Sequence, residues 1–336
     1  MPSYNTPVQM LKEAVDSILT QSFPDFEFII IDDCSTNESV DYLLGLCDPR
    51  IKLIRNQEHF GVTKSLNIGF KAAEGKYIAR MDCDDISLPD RFEKQFVFME
   101  SHPDVIVCGT NVAFFGFRGG ASKNRTIPME MYRIRALFVN PGPPHPTAFF
   151  NHELLDRYQL SYDERLVYAQ DYGLYVEISK VGKVRVLSDV LLRHRLHESQ
   201  ITAKEREKQI QCDKITMEKQ LRELLGNVSN KELDLHYAYS TGYYSDVMAN
   251  ADMLDWYRRL VEANNRTGIY NKRLFKYYVY DVIVKRTVYQ SFQDNISFSS
   301  RITMLFRYLP FSIALKTLLG MSARSVLSYL TTLRKH

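Results

Sequence analysis

Short apolar runs and amphipathic stretches alternate through the first two hundred residues. "FEFIII" (26–31) is β-branched and aromatic and stops at Asp32-Asp33; "IKLI" (51–54) and "KYIARM" (76–81) are similar runs. Between them lie "VQMLKEAVDSILTQ" (8–21) and "VTKSLNIGFKAAEG" (62–75), with apolar residues at helical spacing and Gly75 closing the second. Strands alternating with helices of this length predict βαβ units and a mostly parallel sheet, an α/β fold. Ligands of such sheets bind beyond the carboxyl ends of the strands. Asp32-Asp33 and the cluster Asp82, Asp84, Asp85 both fall on that edge.

After residue 118 the pattern loosens. "GG" and "NPGPPHP" indicate loops, "PTAFF" (146–150) a strand, "AQDYGLYVEISKVG" (169–182) a helix closed by Gly182, and "VRVLSDVLLRHRLH" two short strands. Beyond about 200 the chain is rich in Lys, Glu, Gln and Tyr without β alternation. The boundary is placed near 205, dividing an α/β region (1–205) from a helical, basic region (206–336).

Composition adds exclusions. With 336 residues, 45% hydrophobic and 25% charged, the chain is of ordinary globular type. Five cysteines (Cys34, Cys47, Cys83, Cys108, Cys212) form no CxxC pair, which argues for reduced thiols in a cytoplasmic protein and against a disulfide scaffold or a zinc site. No signal peptide and no apolar stretch of spanning length is visible. From residue 270 onward eleven Lys and Arg face two Asp, a net of +9 in a chain whose total is +3. That polarity fits an anionic surface.

The acidic cluster changes the picture most. Two carboxylates about 5 Å apart at an effective dielectric near 20 repel by roughly 3 kcal/mol. A solvated turn capping the helix near Pro89 would relieve this, and so would a bound divalent cation, manganese or magnesium, shared with substrate phosphates.

Here the residues carry a resemblance. "MPSYNTPVQMLKEAVDSILTQSFPDFEFIIIDDCSTNES", "GVTKSLNIGFKAAEGKYIARMDCDDISLPDRFEKQ", "HPTAFF", "QDYGLYVEISKVGK" and "LLRHRLHESQIT" resemble, in order and spacing, the family 2 glycosyltransferases of bacterial polysaccharide type. The resemblance covers residues 1 to about 202 and implies an inverting enzyme with a GT-A fold, a Rossmann-like sheet flanked by helices. It implies a nucleotide-sugar donor, with UDP expected, and a saccharide or lipid-linked glycan acceptor. Residue by residue, Pro2, Ser3 and Tyr4 match the base and ribose segment, and Asp33 matches an acceptor for the uracil imide N–H. Asp82 falls near the ribose and Asp84 on the metal, in the D-x-D motif Asp82-Cys83-Asp84. Asp85 would orient Asp84, and Cys83 has no metal role. Asp171 matches the general base, preceded by Gln170 where the family commonly has Glu. His197 matches a histidine that reaches metal or diphosphate. His145 lies beside the expected acceptor cleft, and Lys64 or Arg80 would neutralise phosphate.

Each residue has a plainer reading. Asp32, Asp33 and Asp171 can cap helices, a lone histidine is more often structural, and Lys64 and Arg80 can be solvated surface charges. The family also has an apolar strand immediately before "PSYN". Losing about four buried aliphatics forfeits roughly 6–12 kcal/mol, comparable to a domain's whole stability of about 5–15 kcal/mol. The expectation is therefore that the true start lies upstream of Met1 or that another segment replaces the strand.

In the C-terminal region, Val326, Leu327, Leu330 and Leu333 share one helical stripe, with Arg324, Arg334 and Lys335 elsewhere on the helix. Two accounts stand side by side. Residues 270–336 lie against an anionic membrane, at the cytoplasmic face of the inner membrane, or their apolar stripes pack on the catalytic domain or on a second copy in a homo-oligomer. No nucleic-acid motif accompanies the charge. Competing activities are a sugar-nucleotide-forming nucleotidyltransferase, which would want a Gly- and Arg/Lys-rich loop near the N-terminus, a phosphoacceptor signalling domain, and a degenerate transferase that only binds.

Overall fold

The computed structural model describes residues 1–197, 205–241 and 250–280. It divides into two compact units, one comprising Met1–Ala136 with Asn140–Lys219 and the other Leu137–Val139 with the chain from Gln220 onward.

The first unit opens with three parallel strands, β1 (Pro2–Ser3), β2 (Phe28–Asp32) and β3 (Ile51–Arg55), in that spatial order, with Pro2 opposite Ile31 and Phe28 opposite Ile51. Helices α1 (Val8–Leu19), α2 (Ser39–Leu44) and α3 (Val62–Ala72) connect and flank them. In α1, Leu11, Ala14, Val15 and Ile18 recur on one face and are all buried, packing with Phe28 and Ile30 of β2. The second sheet holds β4 (Tyr77–Ala79), β5 (Ile86–Ser87), β6 (Val105–Gly116), β7 (Gly120–Ala121), β8 (Phe149–Asn151) and β9 (Lys183–Leu196). Its order is β4-β8-β6-β9-β5, with β7 paired to β6. Helices α4 (Arg91–Glu100), α5 (Met129–Ala136), α6 (His152–Arg157) and α7 (Gln170–Val181) complete the unit, with the first part of α8 (Arg206–Leu225). The long ladders, β2–β3 and β6–β9, and the short β1–β2 pair are parallel, while β4–β8, β6–β8, β6–β7 and β5–β9 are antiparallel. The parallel-rich α/β architecture that the alternation predicts is present.

One expectation needs correction, and one strand has no counterpart in the sequence analysis. The segment read as two short strands is one strand, β9. Register shifts along its ladder with β6, around Gly109, Asn111 and Val112, absorb the polar Ser188-Asp189 interruption without ending the pairing. Strand β6 was not picked out by alternation because Val105 to Val112 is buried on both faces, which erases the period of two.

Strand β1 is only two residues long. Met1 continues the pairing of β1 with β2, its N donating to Ile29 O at 2.9 Å and its O accepting from Ile31 N at 3.0 Å. Beyond it, β2 and β4 face a cleft of about 480 Å3 lined by Met1, Ile29, Ile31, Phe70, Ile78 and Phe92. Among the described residues no other strand joins β2 to β4 there.

The second unit is helical, with α9 (Asn230–Thr241), α10 (Asn250–Thr267) and a helix over 272–280. Its core contains Phe138, Leu221, Tyr239, Trp256, Tyr257, Leu260 and Phe275. His236 is buried within it, taking a hydrogen bond on Nδ1 from Trp256 Nε1 at 3.1 Å and donating from Nε2 to Leu137 O at 2.8 Å. Among the described residues no helix is long and apolar enough to cross a membrane. The stripe at Val326, Leu327, Leu330 and Leu333 lies outside the described residues.

Candidate active site

The carboxyl ends of β1, β2 and β4 and the amino end of α7 converge on one edge of the first unit. At the end of β1, Pro2 and Ser3 are buried, and Ser3 Oγ lies 3.1 Å from Thr6 Oγ1. Asn5, at φ 48°, crosses to the next turn, with its N–H on Ser35 Oγ at 2.9 Å and its Oδ1 accepting from Thr36 N at 2.8 Å. That exchange fixes the Pro2–Asn5 segment against the Asp32–Ser35 turn. Tyr4 alone of Pro2, Ser3 and Tyr4 reaches solvent, 46% exposed, with one ring face stacked on His59 at 3.8 Å.

At the end of β2, Asp32 is fully buried and accepts from Arg55 Nε at 2.8 Å and Ser35 N at 3.2 Å. The Asp33 carboxylate accepts four hydrogen bonds: Asn56 Nδ2 (2.7 Å) and Phe60 N (2.9 Å) on Oδ1, and Gly61 N (2.8 Å) and His59 Nδ1 (2.8 Å) on Oδ2. Burial pushes its pKa up, but these donors outweigh it and hold the group below the usual carboxylate range. Four donors fill the acceptor directions of a carboxylate. Asp33 therefore orients the ring beneath Tyr4 and the loop leading into α3.

The chain then leaves β4 through Arg80, Met81 and the acidic cluster. Arg80 is only 5% exposed and grips Asp82 with both ends of its guanidinium, Nη1–Oδ2 at 2.8 Å and Nη2–Oδ1 at 2.6 Å. Buried Arg91 of α4 supports it from behind, donating from Nη2 to Arg80 O at 2.7 Å. Asp82, Asp84 and Asp85 bring one carboxylate oxygen each within 4.8 Å of one another. The repulsion is divided among separate partners. Asp82 has Arg80, Asp84 Oδ2 meets His197 Nε2 at 2.8 Å, and fully buried Asp85 meets His194 Nδ1 at 3.0 Å and accepts from Arg195 N at 2.9 Å. Burial raises the Asp85 pKa. Arg195 also donates from Nε to Asp84 O (2.8 Å) and from Nη2 to Glu13 of α1 (2.6 Å), so the end of β9 clamps the acidic loop. Cys83 packs away from this cluster on Thr6, Sγ to Oγ1 at 3.0 Å, and burial raises its thiol to about 12.

Asp171 stands in the first turn of α7, partly exposed, with Asn140 Nδ2 donating to Oδ2 at 2.9 Å. Burial raises its pKa, while its backbone partner at Tyr172, the Arg80 charge and Asn140 pull the other way. Arg80 thus acts electrostatically on both Asp82 and Asp171, which brings the two acidic motifs to one place. Burial also raises Asp213 of α8 to about 7, with the Asp171 charge adding to the shift. His145 is half-buried and its Nε2 pairs with Tyr162 OH at 2.8 Å, with its pKa lowered chiefly by desolvation. Lys64 lies over the Phe60 ring at 3.5 Å.

Sequence reasoning placed Pro2, Ser3, Tyr4, Asp33, Asp82, Asp84, Asp171 and His197 near one another in function, and the fold gathers them on one edge. It missed His59, Asn140, His194 and Arg195. Asn140 opens the Gly/Pro loop "NPGPPHP", His194 and Arg195 lie in the "RHRLH" run, and His59 sits in no recognisable motif.

The pair Asp84 Oδ2 and His197 Nε2 suits adjacent corners of an octahedron, whose edge is roughly 3 Å for bonds of about 2.1 Å. Hard carboxylate oxygens beside one imidazole are a donor set that manganese or magnesium accepts.

Comparison with known proteins follows the same outline. Residues 1–159 match the model of Glycosyl transferase family 2. An uncharacterized glycosyltransferase of Methanocaldococcus jannaschii is 33% identical over 204 residues, covering 58% of this chain and 69% of its own. The amylovoran biosynthesis glycosyltransferase AmsE of Erwinia amylovora is 30% identical over 190 residues, covering 55% and 70%. Among solved structures, S. aureus TarS 1-349 in complex with UDP-GlcNAc superposes with a TM-score of 0.58 at 18% identity, covering 88% of this chain and 91% of that one. The mannosyltransferase PcManGT from Pyrobaculum calidifontis, in complex with GDP-Man and Mn2+, gives 0.52 at 18% identity, covering 85% of both chains.

Proposed function

This chain belongs to the family 2 glycosyltransferases and is a glycosyltransferase, and on that premise we propose that it moves a sugar from a nucleoside-diphosphate donor, UDP-linked, to a saccharide or lipid-linked glycan. One observation carries the reading: buried Arg80 pairs with Asp82 of the D-x-D loop and its charge also acts on Asp171 at the α7 amino end, which supports one site shared by the two acidic motifs. The names of the structural neighbours support a nucleotide-sugar donor, UDP-GlcNAc for TarS and GDP-Man for PcManGT. The role of AmsE in amylovoran biosynthesis supports a place in polysaccharide assembly.

In this reading the base lies on the open face of Tyr4, whose other face His59 and Asp33 support. Asp82, oriented by Arg80, borders the ribose. Asp84 and His197 would hold a divalent cation, which would supply Lewis-acid stabilisation of the departing diphosphate. Asp171 takes the proton from the acceptor hydroxyl as its oxygen bonds to the anomeric carbon. The bond from that carbon to the diphosphate oxygen breaks on the opposite face, and the electron pair leaves with the nucleoside diphosphate. One displacement inverts the anomeric centre without a covalent enzyme intermediate. The raised pKa of Asp171 suits a base, since proton transfer is most effective when the pKa approaches the working pH. Residues 1–205 carry this chemistry.

The test is a panel of nucleotide sugars with manganese, scored for nucleoside diphosphate release and for transfer to a glycan acceptor. Wild type turns over one donor; Asp171→Ala binds that donor with unchanged affinity and transfers nothing. Wild-type turnover of no donor in the panel, or full transfer by Asp171→Ala, overturns the proposal.

A further inference from the structure

The sheet edge that bears the acidic loop continues into a projecting hairpin formed by β6 and β7. Its tip, "GFRG" (116–119), holds Phe117 at 68% exposure, an unusual position for a large apolar ring. This tip is built rather than loose. Phe117 N–H donates to Leu196 O at 3.2 Å. Gly116 adopts φ 100°, and a Cβ there would collide with Leu196 O, so the backbone turns at the one residue that permits it. The returning arm is tied down by Asn111, whose Oδ1 accepts from Ser122 Oγ (2.9 Å) and Asn124 N (2.7 Å).

Charge follows the same pattern. Residues 105–129 contain Arg118, Lys123 and Arg125 and no acidic residue, and all three are exposed. On the neighbouring strand, exposed Arg193 stacks on Phe115 at 4.5 Å, with Arg195 on the same ring at 4.5 Å. An exposed aromatic ring at the tip beside Arg118, on an arm that carries Lys123 and Arg125 further back, is complementary to a surface that is negative outside and apolar just beneath. An anionic bilayer has that profile, since binding there grows with buried apolar area and with each nearby Lys or Arg. A soluble polyanion would use the cations and leave the ring in water.

We propose that the β6–β7 hairpin, through Phe117, Arg118, Lys123 and Arg125, docks the catalytic unit on an anionic phospholipid membrane. The contact lies beside the site, because Arg195 under Phe115 also donates to Asp84 O at 2.8 Å. Docked in this way, the acidic loop faces the lipid surface, and its acceptor is carried by a membrane lipid. That last consequence rests on the transferase reading above; the docking itself does not.

The full chain is tested by co-sedimentation with phosphatidylcholine vesicles, with and without phosphatidylglycerol. Because the basic segment 270–336 can also attract vesicles, Phe117→Trp adds a reporter at the tip, separate from buried Trp256. Wild type sediments with the anionic vesicles only. Phe117→Ser weakens this by about tenfold or more, and Arg118→Glu with Lys123→Glu abolishes it. The Phe117→Trp emission shifts to shorter wavelength on anionic vesicles and is quenched by brominated lipid. Hydrolysis of the donor in solution stays at the wild-type level in all variants, which separates loss of docking from failure of the transferase reading. Vesicle binding by the variants equal to wild type, a bound protein whose tip reporter neither shifts nor quenches, or absence of wild-type binding overturns the proposal. Equal weakening of vesicle and heparin binding by charge reversal, with no effect of Phe117→Ser, overturns it in favour of a soluble polyanion.

Discussion

Arg80 and Asp82 form a two-pronged ion pair, 2.8 and 2.6 Å, with the arginine buried and the aspartate at the rim of the candidate site. The pair occupies the point where β4 ends, and the arginine's charge also reaches Asp171 and His145. One buried cation therefore holds the acidic loop in place and acts on the field at the candidate site.

Arg80→Met should be costly in both respects. Removing one partner of a buried pair typically costs about 3–5 kcal/mol, and the rim position of Asp82 places this variant near the lower end. Urea denaturation should show that loss. The same variant should show a further raised Asp171 pKa, since the lowering influence of the guanidinium is gone. A stability within error of wild type would show that the pair is dispensable.

In the proposed role Asp171 accepts a proton only when ionised, so transfer should rise with pH through its pKa. That limb should lie above the ordinary carboxylate range, because burial raises the group. Asn140→Ala removes a hydrogen bond to the ionised form and should move the limb to higher pH. Asp171→Asn should lower the rate by about 10² to 10⁴. A pH–rate profile of kcat for the three proteins checks all of this.

Removal of divalent cations with a chelator should abolish transfer, and manganese should restore it. Asp84→Asn and His197→Ala should each raise the manganese concentration needed for half-maximal rate, with Asp84→Asn the more severe because it removes the anionic oxygen. An unchanged requirement in both variants would place the cation elsewhere.

The helical unit carries its own pH dependence. Burial lowers the His236 pKa to about 4 from a reference of 6.5. Between those values the unfolded chain binds more protons than the folded one, so stability rises with pH. The contribution is fully present above pH 6.5 and is lost as pH falls toward 4. It amounts to about 3 kcal/mol at 1.36 kcal/mol per pKa unit. Trp256, the single tryptophan of the chain and a donor to His236 Nδ1, reports the transition by fluorescence. His236→Gln should flatten the dependence in denaturation curves between pH 7 and 4.5.

Legibility in the sequence followed the physics of each element. Helix α1 and strand β2 were readable because α1 buries one stripe at helical spacing and β2 is one continuous apolar run. Strand β6 was not, because burial on both faces leaves no alternation, and β9 was read as two because its polar middle is carried by ladder irregularities that composition does not encode. The acidic loop announced itself because three carboxylates in four positions are costly without a purpose. Its partners His194, Arg195 and His197 arrive from more than one hundred residues away and carry no comparable local strain.

Residue order alone thus determined the α/β alternation, the edge on which charge collects and the chain's kinship with family 2. Periodicity and motif spacing are local quantities, and those properties depend on little else. Only the tertiary structure decided how the charges are shared. It gave Arg80 to Asp82, filled the acceptor directions of Asp33 and set Phe117 out from the sheet. Pairing, burial and exposure depend on which distant segments meet, and the surrounding protein fixes the dielectric in which they do so.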